Sequence, residues 1–86
     1  MYGGKVEHVT LQFLNRMMGA AIDRFGRDIV VTKADEWHFQ ITVPVAVSPQ
    51  FFAWVFGLGN TVSIVGPEHV KEKMKEMLKK TCERYE

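Results

Sequence analysis

The segment from Trp37 to Val47 alternates more regularly than any other part of the chain. Trp37, Phe39, Ile41, Val43, Val45 and Val47 fall on one side; His38, Gln40, Thr42 and Ala46 fall on the other. A period of two is what a strand with one buried face requires, and no helix can use it. One such strand cannot stand alone, because its apolar face needs neighbouring strands and a covering layer. Pro44 lacks an amide hydrogen, so the pairing is expected to weaken or bulge there.

The rest of the chain supplies those partners. Val9, Leu11 and Phe13 alternate with His8, Thr10 and Gln12, which predicts a first strand. Asn15 is placed to cap a helix whose apolar face is Met18, Ala21, Ile22 and Phe25, and Gly26 suits the position just past its end. A second strand is expected from Asp28 to Lys33, with Ile29 and Val31 on one side, followed by the short break Ala34-Asp35-Glu36. Ser48-Pro49 reads as a hydroxyl cap followed by a ring already held at a helical φ, opening a helix to Leu58 that stops near Gly59. Thr61 to Val65 forms a fourth strand with Val62 and Ile64 on one face. Gly66-Pro67-Glu68 opens a last helix with the stripe Val70, Met74, Met77, Leu78, Thr81 and Tyr85.

The order strand, helix, strand, strand, helix, strand, helix predicts an α+β fold. It is a ferredoxin-like βαββαβ sandwich with an extra C-terminal helix and a four-stranded antiparallel sheet in the order 4-1-3-2. The odd-numbered apolar residues of the first three strands, Trp37 included, are expected to face the first two helices. The docking position of the last helix stays open. It can lie beside the other helices, across the polar sheet face, or on a neighbouring chain.

Composition narrows the function classes. The 86 residues are 47% hydrophobic, sufficient for one core, and eleven Lys/Arg against ten Asp/Glu leave a net charge of +1. General nucleic-acid binding requires a basic surplus that is missing here. An RNA-recognition reading also fails, since Phe13 and Phe39 are expected inward and the outward positions hold His, Thr and Gln. The single Cys82 can form neither an internal disulfide nor a multi-thiolate zinc site, which suits a reducing cytoplasm. No apolar run is long enough for a membrane span, and no secretory signal opens the chain.

No catalytic, metal or cofactor constellation emerges. Ser48 and Ser63 lack a base and its orienter, and Leu14-Asn15-Arg16-Met17-Met18 offers no phosphate loop of the acylphosphatase kind. An enzyme is therefore not expected, and neither is a cofactor. Two surfaces stand out instead. The helix after Pro49 carries two apolar stripes, Phe52-Val55-Phe56 and Phe51-Trp54-Leu58. Both can pack inside the domain, or Phe51, Trp54 and Leu58 can form an interface. The second surface is polar: His8, His38 and Gln40 share a sheet face with Thr10, Gln12, Thr42 and Ser63 and could contact a ligand, or simply meet solvent. Arg16, Arg24 and Arg27 cluster on and after the first helix, either as an anion contact or as exposed partners of Asp23 and Asp28.

The stretch from Phe51 to Val70 resembles the C-terminal extension domain, WCX, of bacterial WYL-domain transcriptional regulators. The residues that carry the likeness are Trp54 in an aromatic-rich short helix, Gly59 at its end, Val62 and Ile64 in the following strand, and Pro67 before the last helix. Val9 to Phe13 and Ile22 to Gly26 resemble the family's first strand and first helix. The resemblance implies a single domain over 9–86, with 1–8 serving as linker and start of the first strand and Gly3-Gly4 near the linker. It implies a non-catalytic role in dimerisation and in sensing an effector (a nucleotide, a nucleic acid or a small molecule). It also implies helix-turn-helix and WYL domains as partners elsewhere in a longer cytoplasmic parent, and a homodimer. A different class with similar topology is an ACT-like small-molecule-binding module of a metabolic enzyme.

Overall fold

The computed structural model describes residues 5–86. The expected linker at Gly3-Gly4 lies outside them. Strand β1 (Val6–Leu14) is followed by a 3-10 turn (Asn15–Met17) and helix α1 (Met18–Phe25). Strands β2 (Val31–Lys33) and β3 (His38–Ala46) lead to helix α2 (Pro49–Gly57). A second 3-10 turn, strand β4 (Val62–Gly66) and helix α3 (Glu68–Glu83) complete the chain.

The sheet is antiparallel in the order β2-β3-β1-β4, which is the expected 4-1-3-2. Its inner face holds Val9, Leu11 and Phe13 of β1 and Phe39, Ile41 and Val43 of β3, all buried. All three helices close over that face. Ala21 of α1, Phe51, Phe52 and Val55 of α2, and Val70 of α3 join the same core. Phe13 stacks on Phe39 with ring centroids 5.3 Å apart and planes 10° from parallel, which places an aromatic ladder across the two central strands. Helix α3 therefore docks beside the other helices, with Met74 and Met77 packed on the core.

Local signals hold where the chain carries its own chemistry. The Ser48 hydroxyl accepts from the Phe51 amide at 3.3 Å and caps α2 behind Pro49 at its first turn. Gly26 ends α1 at φ 89° and Gly59 follows α2 at φ 68°, both in the region where a side chain is strained.

Four expectations need correction. Asn15 caps nothing: its amide nitrogen Nδ2 donates to the Glu36 carbonyl at 3.0 Å and its backbone N–H to Trp37 O at 2.9 Å, so it ties α1's entry to the β2–β3 turn. Strand β2 is shorter than expected and wholly exposed, with Asp28 to Val30 outside it. Trp37 is not part of β3; it sits in the preceding turn, 65% exposed, beyond the reach of the covering helices. Pro44 causes no bulge in the β1–β3 pairing. Lys5 and Val47 share a hydrogen bond of 3.1 Å, and alternation from there puts Pro44 opposite His8 in a pair that exchanges none. Its missing N–H faces the side where β2 has already ended, so nothing is lost. The register shift lies instead in β1 between Thr10 and Leu11, against β4.

Candidate functional site

Helix α2 was the segment whose apolar surplus called for a partner, and the structure divides its residues sharply. Phe51 is 2% exposed and belongs to the core, so it offers no surface to a partner. Leu58 is half-buried against the same core. Trp54, also half-buried, meets Phe13 edge-on at 6.3 Å and Phe25 at 5.5 Å, while the Arg24 guanidinium lies 5.3 Å from its ring centroid. Trp54 thus joins α2 to α1, and a cation–π contact of this half-exposed kind contributes about 0.5–1 kcal/mol.

The residue that reaches solvent is Phe56, 64% exposed. Sequence reasoning grouped it with Phe52 and Val55, yet those two are buried and Phe56 is not. The available signal was the absence of any continuous polar face on α2: with only Gln50, Ala53 and Gly57 between apolar residues, some of them must face outward. Leu78 of α3 and Tyr85, which the sequence stripe included but which lies in the turn after the helix ends at Glu83, stand exposed beside Phe56. Together with Met77, Thr81 and Cys82 they line an open, largely apolar cavity of about 580 Å³. The first half of the α3 stripe is thus occupied by the core, and the second half continues past it as a surface.

On the polar sheet face the side chains bond one another. Thr10 and Thr42, opposite each other, share a hydrogen bond of 2.8 Å, and Gln40 Nε2 donates to Gln12 Oε1 at 2.9 Å. Both are close, non-bonded pairs of the ladder, where facing side chains approach best. His8 stands opposite Pro44 and His38 opposite Leu14, six positions apart along β1. At about 3.3 Å per residue the two imidazoles are roughly 20 Å apart and form no common site. His38 Nδ1 instead meets Asp35 Oδ1 at 2.9 Å.

Arg16, Arg24 and Arg27 line no common cleft. Arg16 lines a cleft with Glu36 and Trp37, Arg24 covers Trp54 and borders a different cleft with Asp28, and Arg27 is exposed beyond α1. Among the described residues no ion pair joins them to Asp23 or Asp28. No group of three His, Cys, Asp or Glu among the described residues could hold a metal ion. No helix among them is long and apolar enough to cross a membrane.

The β2–β3 turn is closely braced. The Trp37 amide donates to Asp35 Oδ1 at 2.7 Å, and the Ala34 and Asp35 amides both reach the His38 carbonyl, at 3.1 and 3.3 Å. The hydrogen bond from the His38 side chain and then that from the Trp37 amide hold the Asp35 carboxyl below its ordinary value of 3.8. A depressed carboxyl stabilises the fold fully above its unfolded value, and that contribution is lost as pH falls through the lower folded one. Asp35→Asn should therefore flatten the stability profile between about pH 5 and about pH 2. Urea midpoints across that range check it; equal acid losses in the two proteins would exclude the coupling.

With this geometry in view, the comparison with protein families is decisive. The WCX domain model matches residues 5–81. The chain belongs to the WCX domain family. That match runs from the first residue of the described chain through the whole sheet, α1 and α2, and ends at Thr81 in the exposed half of α3. WCX domains are regulatory domains of WYL-type regulators. No curated protein matches the chain.

Proposed function

We propose that this WCX domain is the non-catalytic C-terminal part of a bacterial, cytoplasmic WYL-type transcriptional regulator. In this reading it helps the regulator dimerise and passes an effector signal to a DNA-binding domain elsewhere in the parent protein. What supports the reading is the family match together with one surface. Phe56, Leu78 and Tyr85 form an exposed apolar patch on a domain whose core is otherwise complete. Isolated exposed apolar residues are ordinary, but a contiguous aromatic patch marks an interaction face.

The expected dimerisation surface thereby moves from Phe51, Trp54 and Leu58 to Phe56 and the second half of α3. Covering Phe56, Leu78 and Tyr85 at about 25 cal/mol per Å² contributes several kcal/mol, a useful fraction of what a stable dimer needs. An effector can act on such a contact only by binding one packing arrangement more tightly than the other. The effector class remains that of the resemblance: a nucleotide, a nucleic acid or a small molecule.

Sedimentation velocity over a wide concentration range tests the self-association. The wild-type chain is expected to dimerise with rising concentration, and Phe56→Ser, a substitution at an exposed site, to weaken the dimer at least tenfold. A wild-type chain that stays monomeric at about 1 mM rules this surface out as a self-contact.

A further inference from the structure

The two edges of the sheet are unlike. On one side β2 is only three residues long, and past its end the outward position of β3 is Pro44, which has no N–H to offer. Such an edge resists added strands. On the other side β4 contains no proline from Val62 to Gly66 and, among the described residues, pairs only with β1. The ladder alternation fixes which of its peptide groups are free. Odd residues of β1 turn theirs to β3, as the Lys5–Val47 bond shows, so even residues turn theirs to β4. Gln12 pairs with Ser63, within a regular stretch from Leu11 to Phe13. Ser63 therefore faces β1, and the N–H and C=O groups of Val62 and Ile64 point out of the sheet. Among the described residues no backbone partner meets them.

Helix α3 runs alongside this open edge and turns it into a groove of about 240 Å³. Val55, Met74 and Leu78 give it apolar walls, and Lys71 and Lys75 stand on its rim. The lysines are only loosely held: Lys71 lies 3.9 Å from Glu68 and Lys75 3.6 Å from Glu72, on exposed side chains worth tenths of a kcal/mol.

The geometry points to β4 and α3 as a docking groove for an extended peptide that adds as a fifth strand, with an apolar side chain between the walls and acidic side chains toward Lys71 and Lys75. Free main-chain groups supply affinity in this mode, and the alternate side chains supply selectivity. A second copy of the chain fits less well. Two β4 edges paired about a two-fold axis would bring Lys71 and Lys75 of each copy toward the same like charges. The groove touches Phe56 and Leu78, but its free amides and lysines are not part of the proposed dimer patch. The two ideas can therefore fail separately.

The test is an amide NMR titration of the 86-residue chain with the blocked peptide acetyl-Ser-Val-Ser-Glu-Ser-Glu-amide, whose Val and Glu side chains share one face when extended. The Val62 and Ile64 amides are expected to shift, with hydrogen exchange slowed at least tenfold at saturation. The Lys71→Glu/Lys75→Glu double variant, altered only at rim positions, is expected to bind at least fivefold more weakly, and the peptide with Lys in place of Glu not to bind. Unmoved Val62 and Ile64 amides would overturn the proposal, as would equal binding by the double variant. So would protection of those amides that grows with chain concentration alone, which would assign the edge to a second copy.

Discussion

Replacing Phe13 by Ala is expected to destabilise the domain by about 3–5 kcal/mol, most of what a domain of this size has to lose. Phe13 has no exposed surface and stands where three elements meet: stacked on Phe39 of β3, edge-on to Trp54 of α2, and paired in register with Val62 of β4. Removing the ring deletes the transfer energy of the side chain and leaves a cavity that the stacked Phe39 cannot fill without leaving its own place. No internal disulfide is available to offset the loss in a chain with a single cysteine. Equilibrium urea unfolding followed by far-UV circular dichroism reads the change directly. A loss under about 1 kcal/mol would mean that the aromatic ladder is not the centre of the core.

Val70→Asp probes the attachment of α3 and is expected to cost about 3–5 kcal/mol. Val70 is fully buried at the first turn of the helix, where an acidic residue is favourable for the helix itself. Any destabilisation therefore reports docking rather than helix formation. The carboxylate would have to enter the core beside Met74 and Met77 or force the helix off. Detachment would also break the contact between His69 and Glu7 that ties the start of α3 to β1. The same unfolding experiment serves, and Val70→Ala, which removes volume without burying charge, should lose clearly less. Equal losses for the two variants would show that the site is open enough to hydrate a charge, contrary to its burial.

These two residues mark different degrees of legibility. Phe13 belongs to an alternation that can be read directly, because neighbouring residues in a strand point to opposite faces whatever surrounds them. The Ser48 cap and the stop at Gly59 are legible for a similar reason: each acts on amides or dihedrals within a few residues of itself. Val70 belongs to a stripe that is equally plain, but a stripe states only that a helix needs a covering, not which surface provides it. Trp37 shows the opposite failure. It continues the β3 alternation perfectly, yet the hydrogen bonds of Asp35 and Asn15 close a turn there and leave it outside.

The candidate surfaces divide in the same way. His8 and His38 share a face by parity, but only the strand register reveals the six positions between them. Phe51 and Phe56 are the same residue type on the same short helix, and only the placement of the sheet and of α3 buries one and exposes the other.

Element type and the two-faced character of the sheet follow from periodicity, because φ/ψ preference and side-chain direction are local properties carried by each residue. The strand order follows from the sequence of elements and the handedness of their crossovers. The exposure of Phe56, the seat of α3 and the free edge of β4 arise only once distant segments meet. Which apolar atom loses its water depends on what arrives from elsewhere in the chain, and no window of neighbouring residues contains that information.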